Sequence, residues 1–286
     1  CNRVDCKRAE LSYKVWGRKL ERSYPSTKFV FTNSRKSRLY PEKTVILNYP
    51  GLMIRRLTYS NVFLCGYFFE KTNRKWLLRT TDDNYMRIHM FMKLLERIEH
   101  ENPDPYATLF KGQVVSGYSF FVHGGPGWII SRSMAKFIYD GREDYLQYTE
   151  TVPSNGDDVT IIWYLNKLKM RPTEIHLTEF YGPPFRNESV FNSVKEKNWD
   201  SFPLCDMEWH KRNYFNGPVR MNQVALIHSG LPDNYAVLMG DKIFGDIPPH
   251  VFIYNTYHQS FVCRFYGEWN ESLRIKPSYP SKMMIH

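Results

Sequence analysis

Two adjacent acidic residues, Asp82 and Asp83, follow an apolar run in the stretch KWLLRTTDDNYMRIHMF, Lys75 to Phe91. Like charges side by side repel, so the pair needs either water or a cation around it. Hard divalent cations prefer carboxylate oxygens as ligands, and a cation would relieve the repulsion. The alternative is that both acids cap a following helix, because a helix N-terminus stabilises negative charge. From this pair alone, the helix cap is the preferred interpretation.

A second acidic pair, Asp157 and Asp158, opens a helical pattern in SNGDDVTIIWYLNKLK. One interpretation is a general base at the edge of a buried site, since a carboxylate can take a proton from a substrate hydroxyl. The helix dipole would keep such a carboxylate ionised at neutral pH. The other interpretation is an acidic helix start with no catalytic role. The sequence does not separate the two residues.

Between the acidic pairs lies a glycine-rich segment, HGGPGW, residues 123–128. Gly124 and Gly125 remove side chains where a strand is expected to turn into a helix, so the backbone could approach a ligand closely. A helix N-terminus at that point would suit an anion. The alternative is a tight connection with no ligand. His123 could ligate a metal, although a hydrogen-bonded interior histidine is the commoner case.

Aromatic residues make up 16% of the chain, a content that suits strands, clefts and flat ligand rings. Tyr118, Trp128 and Trp163 could form a platform for a sugar or base ring. Aromatic core is the default interpretation of all three residues.

The composition limits the class of protein. The 286 residues are 42% hydrophobic, which excludes a disordered chain and allows a sizeable core. The net charge of +10 favours an anionic partner. The basic residues are dispersed, so a phosphate-bearing ligand is preferred over nucleic acid. No apolar run approaches the roughly 18 residues of a membrane-spanning helix.

The cysteines and glycosylation sequons bear on the cellular compartment. Five cysteines, at positions 1, 6, 65, 205 and 263, form neither a dense disulfide framework nor a CxxC metal set. Sequons at Asn187 and Asn270 are compatible with the secretory pathway, where some cysteine pairs would be oxidised. The chain opens on Cys1 rather than Met, and we expect any signal or anchor to lie upstream.

Strand and helix patterns alternate along the chain. Apolar runs predict strands at residues 26–34, 43–50, 74–81, 222–230 and 250–265. Helices are predicted at residues 54–69 and 84–100, from an N-cap at Ser131, and from Asp157. The apolar face of the second helix consists of Tyr85, Ile88, Phe91, Met92, Leu95 and Ile98. This order predicts an α/β sandwich, in which ligands bind beyond the carboxyl ends of the strands.

Taken in order, these segments resemble the fringe-like β1,3-glycosyltransferases and their relatives, the core 1 β1,3-galactosyltransferases. KWLLRTTDDNYM is similar to the family's Trp, strand and Asp-Asp-Asp-Asn-Tyr-Val block. HGGPGWIISRSMA is similar to its Gly-Gly-Ala-Gly-aromatic-x-Ile-Ser-Arg turn and helix, and GDDVTIIWYL to its Pro-Asp-Asp-x-Thr-x-Gly segment. KVWGRKLERSYPSTKFVFTN resembles the opening strand, and NQVALIHSG resembles a late strand more loosely. The likeness covers residues 12–182 well and residues 183–265 poorly.

The resemblance implies a GT-A nucleotide-sugar transferase fold with a mixed, mostly parallel sheet flanked by helices. It implies one catalytic domain over residues 12–270, with extensions at residues 1–11 and 271–286. The implied activity is inverting, β1,3-forming transfer of a sugar from a UDP-sugar to a glycan or glycoprotein hydroxyl, assisted by Mn²⁺ or another divalent cation. The implied location is the Golgi lumen, as a type II membrane protein whose anchor is absent from this chain. No nucleic acid is expected as a partner.

The resemblance also assigns roles to the acidic pairs. Asp82 and Asp83 take the last two places of the metal motif, and Asp83 is the leading metal ligand. Asp157 and Asp158 occupy the segment that holds the family's catalytic base, and Asp158 is the preferred member of the pair.

Three further residues belong to the implied donor site. Gly124, Gly125 and Trp128 would lie beside the donor together with the first acidic pair. His176 is the candidate for the family's metal-binding histidine.

The chain departs from the family pattern at the metal motif. Thr81 replaces the first Asp, so one carboxylate is missing. His176 lies upstream of the place where the family's histidine is expected, with Glu179 and Tyr181 near that place, and the Gly expected near Ile162 is absent. A catalytically inactive relative, acting as a chaperone or as a sugar- or nucleotide-binding protein, is therefore the alternative to an enzyme.

Overall fold

A computed structural model describes the chain over several ranges separated by gaps. These ranges are residues 3–33, 39–47, 56–116, 120–151, 156–181, 218–220, 223–228 and 252–254. The helices are α1 Arg3–Ser12, α2 Arg18–Ser23, α3 Arg56–Lys71, α4 Ile88–Glu101, α5 Arg132–Asp140, α6 Arg142–Thr151, α7 Asp157–Thr160, α8 Ile162–Lys167 and α9 Pro172–Ile175. The strands are β1 Phe31–Asn33, β2 Thr44–Ile46, β3 Trp76–Arg79, β4 Asn84–Met86, β5 Phe110–Gly112, β6 Val114–Ser116, β7 Phe120–Val122, β8 Trp128–Ser131, β9 Phe180–Tyr181, β10 Pro218–Arg220, β11 Leu226–His228 and β12 Phe252–Tyr254.

A three-stranded sheet in the order β3-β8-β5 lies between two hydrophobic cores. Neighbouring side chains of a strand point to opposite faces. Ile129 accordingly packs with α4 and the N-terminal helices, whereas Ile130 packs with α3, α5 and α8, and neither is exposed. Helices and strands thus form layers, in agreement with the predicted α/β class.

The strand directions differ from the expected, mostly parallel sheet. Among the strands that the structure describes, β1–β2 and β9–β11 pair parallel, while β8 runs antiparallel to both β3 and β5. The pairs β4–β11, β6–β7 and β10–β12 are antiparallel as well. The mostly parallel sheet that the resemblance implies is therefore wrong for this part of the chain, where five of the seven described strand pairs are antiparallel.

The amphipathic helix after the first acidic pair begins later than predicted. Helix α4 starts at Ile88 and buries Phe91, Leu94 and Ile98. The residues before it, Asn84–Met86, form strand β4, which pairs with β11. Local periodicity cannot reveal this pairing, because the partner strand lies far along the chain.

The glycine-rich segment does not pass directly into a helix. Strand β8 intervenes, and α5 begins at Arg132 with Ser131 as its N-cap. The Ser131 hydroxyl oxygen accepts a hydrogen bond from the Met134 N–H at 3.2 Å, which confirms the predicted cap. The glycines therefore lead into a strand and do not themselves open a helix, contrary to the expectation.

Several expectations concern residues outside the described ranges. These are the sequons at Asn187 and Asn270, Tyr118, and Cys1, Cys205 and Cys263. Cys65 is free and fully buried, and its burial raises the pKa of the thiol far above the usual value. In the part of the chain that the structure describes, no helix is long and apolar enough to cross a membrane.

The glycine segment approaches the end of β3 too closely for any side chain. Gly127 has a φ of 90°, and a Cβ there would lie 1.9 Å from the Arg79 carbonyl oxygen. Gly127→Ala should therefore lower the free energy of unfolding by about 3 kcal/mol or more, from the positive φ and the backbone clash together. Urea unfolding followed by circular dichroism would measure the loss.

Gly141→Ala is the matched control for this prediction. Its φ of −84° is ordinary, and its new Cβ would lie 3.3 Å from the Tyr164 ring and 3.5 Å from the Phe137 carbonyl oxygen, much farther than at Gly127. If both variants unfold at the same urea concentration, the close approach at Gly127 does not constrain the fold.

Candidate functional site

Asp82 and Asp83 lie in the tight connection between β3 and β4. Strand β4 follows them at once, and the N-cap of α4 is Arg87. Neither acid can therefore cap that helix, and the helix-cap alternative is wrong. The Asp82 backbone carbonyl accepts a hydrogen bond from the Ser12 hydroxyl at 2.7 Å, which ties the connection to α1.

Asp83 contacts a histidine that sequence reasoning missed. Strand β11 pairs with β4 so that His228 lies opposite Asn84, and His228 Nε2 is 3.2 Å from Asp83 Oδ2. The available signal was its position as the last residue of the late strand, in NQVALIHSG. A polar residue at a strand end is where an α/β sheet places its ligand groups.

Asp83 is held in its ionised form. Burial by itself raises the pKa of its carboxyl group, but hydrogen bonds with His228 and Thr81 outweigh burial and lower the pKa to about 2. The Thr81 hydroxyl lies 2.6 Å from Asp83 Oδ1. Thr81, which replaces a family carboxylate, thus supports the carboxylate that remains.

The predicted metal set of Asp82, Asp83 and His176 does not assemble. Among the described residues, which include all three, no group of three or more His, Cys, Asp or Glu side chains could hold a metal ion. His176 Nδ1 instead accepts a hydrogen bond from the Val114 N–H at 3.1 Å, and burial lowers the pKa of this histidine to about 4. His228 takes the place beside Asp83 that was expected for His176.

The glycine turn joins the two acidic segments. The Gly125 carbonyl accepts hydrogen bonds from the Thr81 hydroxyl at 2.7 Å and from Asn84 Nδ2 at 2.6 Å. The Gly124 N–H points to Asp158 Oδ2 at 3.5 Å, and a Cβ on Gly124 would lie 3.1 Å from the Asp158 Cβ. Two adjacent glycines, whose Cα atoms are about 3.8 Å apart, thus contact both sites.

A Cβ on Gly125 would lie 2.6 Å from His228 Nδ1 and 2.7 Å from His123 Cε1. His123 is buried, and its Nδ1 accepts a hydrogen bond from the Gly125 N–H at 3.1 Å. Burial and the nearby His228 lower the pKa of His123 to about 3, so its ring is neutral. His123 is therefore part of the site wall, in the manner of the interior histidine expected from sequence.

Asp157 is held by a buried ion pair. Its Oδ2 accepts hydrogen bonds from Arg79 Nη2 and, at 3.2 Å, from Asn61 Nδ2. The Asp157 and Arg79 side chains are only 8% and 11% exposed. Arg79 also donates to the Gly124 carbonyl at 2.7 Å, so Asp157 is committed to holding the turn.

Asp158 faces the glycine turn, and its hydrogen-bond donors in the described part of the chain are backbone N–H groups rather than a cation. Its Oδ1 accepts from the Val159 N–H at 2.9 Å, while burial and then the charge of Asp157 raise the pKa of its carboxyl group. The expectation that a helix dipole favours ionisation of both acids fails for Asp158, because α7 is a single turn and these two effects outweigh it. The acidic helix start itself is confirmed.

The predicted aromatic platform is not formed by the described residues. Trp128 is 2% exposed and packs against Phe110, with ring centroids 5.7 Å apart. The Arg79 guanidinium covers the Trp128 ring at 4.6 Å from the centroid. Trp163 stacks on Tyr148 at 5.7 Å. The Trp128 ring is therefore not accessible to a donor. Trp128 is a core residue, and its expected place in the donor site is wrong.

A cleft of about 1390 Å³ separates β1 from β3 and reaches the first acidic segment. Its polar lining includes Thr32 on β1 and Asn61 on α3. At the carboxyl end of β3 the lining continues through Thr80, Thr81 and Asp82. This is the edge of the sheet at which an α/β fold binds ligands.

Comparison with known protein families gives one match. A family described as Fringe-like matches residues 1–181, which is more than half of the chain. The matched part contains both acidic pairs and the glycine turn, whereas His228 lies beyond it. No curated protein matches the chain.

The low pKa of Asp83 predicts an acid-dependent loss of stability. The folded-state pKa of about 2 lies below the usual 3.8, so the contribution to stability is present above about pH 4 and is lost as the pH falls to about 2. We expect a loss of about 2 kcal/mol in the parent and a flatter profile in Asp83→Asn. Urea unfolding at several pH values, in a chelator, measures both profiles.

Asp140→Asn is the control, because the Asp140 side chain is 56% exposed and pairs with Lys136 on its own helix. Its acid profile should match that of the parent. An Asp83→Asn profile as steep as the parent's would show that the hydrogen bonds around Asp83 do not lower its pKa.

Proposed function

The chain belongs to the Fringe-like family, whose members are glycosyltransferases, and on this premise we propose that it transfers a sugar from a UDP-sugar to a hydroxyl group of a glycan or glycoprotein. The linkage formed is β1,3, and the reaction inverts the anomeric centre. One observation carries the proposal: Gly124 and Gly125 bring the Asp158 carboxylate and the Asp83–His228 pair to one turn. A transferase needs a base and a diphosphate site at such a short separation.

Asp83 and His228 are the residues that would hold a divalent cation. Asp83 Oδ2 and His228 Nε2 lie 3.2 Å apart, so one cation could contact both atoms. A carboxylate oxygen suits Mn²⁺, and an imidazole nitrogen is a common ligand of other transition metals. When bound, the cation neutralises the charge of the departing diphosphate.

The uridine end of the donor fits the cleft between β1 and β3. Its polar lining, which includes the exposed Thr32, can hydrogen-bond a base and a ribose. The cleft ends at Thr80, Thr81 and Asp82, directly before Asp83. A UDP lying in the cleft would therefore have its phosphates at the proposed cation pair.

Asp158 is the proposed base. Its carboxylate takes the proton from the acceptor hydroxyl, whose oxygen attacks the anomeric carbon while the bond from that carbon to UDP breaks. The raised pKa of the Asp158 carboxyl group lies closer to neutral pH than the usual value, and this favours proton transfer to the carboxylate. Asp157 is a positioning residue, because its ion pair with Arg79 holds α7 against the turn.

A non-catalytic relative is the second candidate. The observation that favours it is the incomplete metal set: Thr81 stands in place of a carboxylate, and within the described ranges only Asp83 and His228 meet as possible ligands. Such a protein would bind a sugar or nucleotide without transfer, or act as a chaperone. Fringe-like enzymes generally work in the secretory pathway, and we propose the Golgi lumen as the location.

The first prediction from this mechanism concerns the base. Asp158→Asn should keep its affinity for UDP and lose roughly two to four powers of ten in turnover, because a base acts in the transition state. In the parent, the rate should fall as the pH drops through the raised pKa of Asp158, since the protonated carboxyl group cannot accept a proton. UDP release from a panel of UDP-sugars, with or without acceptor glycans, measures both effects.

Asp157→Asn is the matched control, because it should act on stability instead. It leaves the Arg79 guanidinium buried beside a neutral group, a change that typically costs about 3–5 kcal/mol. If Asp157→Asn abolishes turnover at full stability while Asp158→Asn turns over like the parent, the roles of the two residues are reversed.

The second prediction separates the two histidines. Asp83→Asn and His228→Gln should each weaken Mn²⁺ binding more than tenfold, since even groups that merely orient metal ligands contribute roughly 10- to 100-fold. UDP affinity in Mn²⁺ should fall in parallel, because the cation joins protein and diphosphate. Electron paramagnetic resonance gives the Mn²⁺ affinity, and calorimetry gives the UDP affinity.

His176→Gln is the control, because His176 bonds to the Val114 backbone. It should leave both affinities within about twofold of the parent. Weaker Mn²⁺ binding in His176→Gln with normal binding in His228→Gln would contradict the assigned cation site.

A further inference from the structure

Gln113 is an amide side chain with no visible role in the fold. It is completely buried, and neither its Oε1 nor its Nε2 has a hydrogen-bond partner in the described part of the chain. Polar groups in protein interiors are almost always paired, because an unpaired one keeps the full cost of losing its water. A group that lacks a partner in the ligand-free protein is a candidate for bonding to a ligand.

The strand pairing fixes the face on which Gln113 lies. Val114 and Val122 are partners in the β6–β7 ladder, and the His123 N–H donates to the Gln113 carbonyl at 2.8 Å. Gln113 and His123 are thus the next opposing pair, with side chains on one face and Cβ atoms about 4.5–5.5 Å apart. Val114 and Val122 both point into the hydrophobic core on the other face.

The face that carries Gln113 and His123 leads to the proposed cation pair. The His123 and His228 ring centroids are 6.0 Å apart, with Gly125 against both rings. His228 Nε2 in turn lies 3.2 Å from Asp83 Oδ2. One side chain, His123, therefore stands between the unpaired amide and the histidine of the pair.

The groups on this face suit a neutral ligand. His123 Nδ1 accepts the Gly125 N–H and so carries no proton, which leaves the ring uncharged. The Gln113 carboxamide is also uncharged and offers both donors and an acceptor. A hydroxyl group is donor and acceptor at once and matches it, whereas a phosphate or carboxylate offers acceptors only and would prefer a cation.

We propose that Gln113 hydrogen-bonds a hydroxyl group of a sugar ring, in a subsite beside the Asp83–His228 pair, and thereby contributes to the choice of sugar. This inference rests on the proposed function, since it takes the ligand of the neighbouring pair to be a UDP-sugar. The subsite serves either the sugar of the donor or that of the acceptor. Both offer the same chemistry, and binding experiments distinguish them.

The test replaces the amide without changing its length. Gln113→Met keeps the volume and removes the hydrogen bonds, so the ligand-free variant should melt at the same temperature as the parent or higher, because no bond is lost. Its affinity for UDP in Mn²⁺ should be unchanged. The additional affinity that a UDP-hexose has over UDP should fall by roughly three- to tenfold, the value of one hydrogen bond.

Calorimetry with UDP, UDP-glucose, UDP-galactose and UDP-N-acetylglucosamine covers the donor. The same titration of the protein–UDP complex with methyl glycosides of these sugars covers the acceptor. A loss confined to one series assigns the subsite to that sugar. Tyr164→Phe is the control, because it removes a buried hydroxyl that does have a partner, the Ile138 carbonyl at 2.9 Å. That variant should melt lower and retain all sugar affinities.

Two results would overturn the inference. One is a Gln113→Met variant that keeps every sugar affinity of the parent; the other is a variant that melts well below the parent, as Tyr164→Phe should. Either result leaves the proposed function standing if the parent binds UDP. Absence of UDP binding in the parent would instead overturn the proposed function and, with it, this inference.

Discussion

The buried ion pair between Arg79 and Asp157 is the interaction on which the arrangement of the site depends. Arg79 ends strand β3, and its guanidinium contacts Asp157 on α7, the Gly124 carbonyl and the Trp128 ring. Strand, turn and helix are thereby held at one point. Removing one member of such a pair lowers the stability of the fold considerably, because the other member remains as an unpaired charge in the protein interior. Gly127 adds a steric constraint, since the turn touches the Arg79 carbonyl itself.

This pair also decides what the neighbouring acids can do. Asp157 is paired with the Arg79 guanidinium. Asp158 faces the turn instead, where burial and the charge of Asp157 raise the pKa of its carboxyl group. Asp83 experiences burial too, but hydrogen bonds with His228 and Thr81 lower the pKa of its carboxyl group to about 2. Two acids of the same type are thus suited to different tasks, one to proton transfer and one to permanent negative charge, as their surroundings require.

The sequence predicts the features of the site that depend on neighbours along the chain. The Ser131 cap and the acidic start of α7 follow from local spacing and are confirmed. The predicted face of α4 is confirmed only in part: Phe91 and Ile98 are buried, but Leu94 completes the buried face, and Tyr85 belongs to β4. His228 was missed because it meets Asp83 from 145 residues away, through a strand pairing that no local pattern encodes. The sequence does not reveal that Trp128 is a core residue, because aromatic residues occur both in hydrophobic cores and in ligand sites. The burial of its side chain distinguishes the two roles.

The acidic segment, the late histidine and the cleft together make up the proposed cation-dependent site for a UDP-sugar. The decisive measurement is a calorimetric titration of the unmodified protein with UDP, in Mn²⁺ and again in a chelator. We expect saturable binding of one UDP per chain in Mn²⁺ and a large loss of affinity when the cation is removed. Absence of UDP binding in both solutions would contradict this proposal.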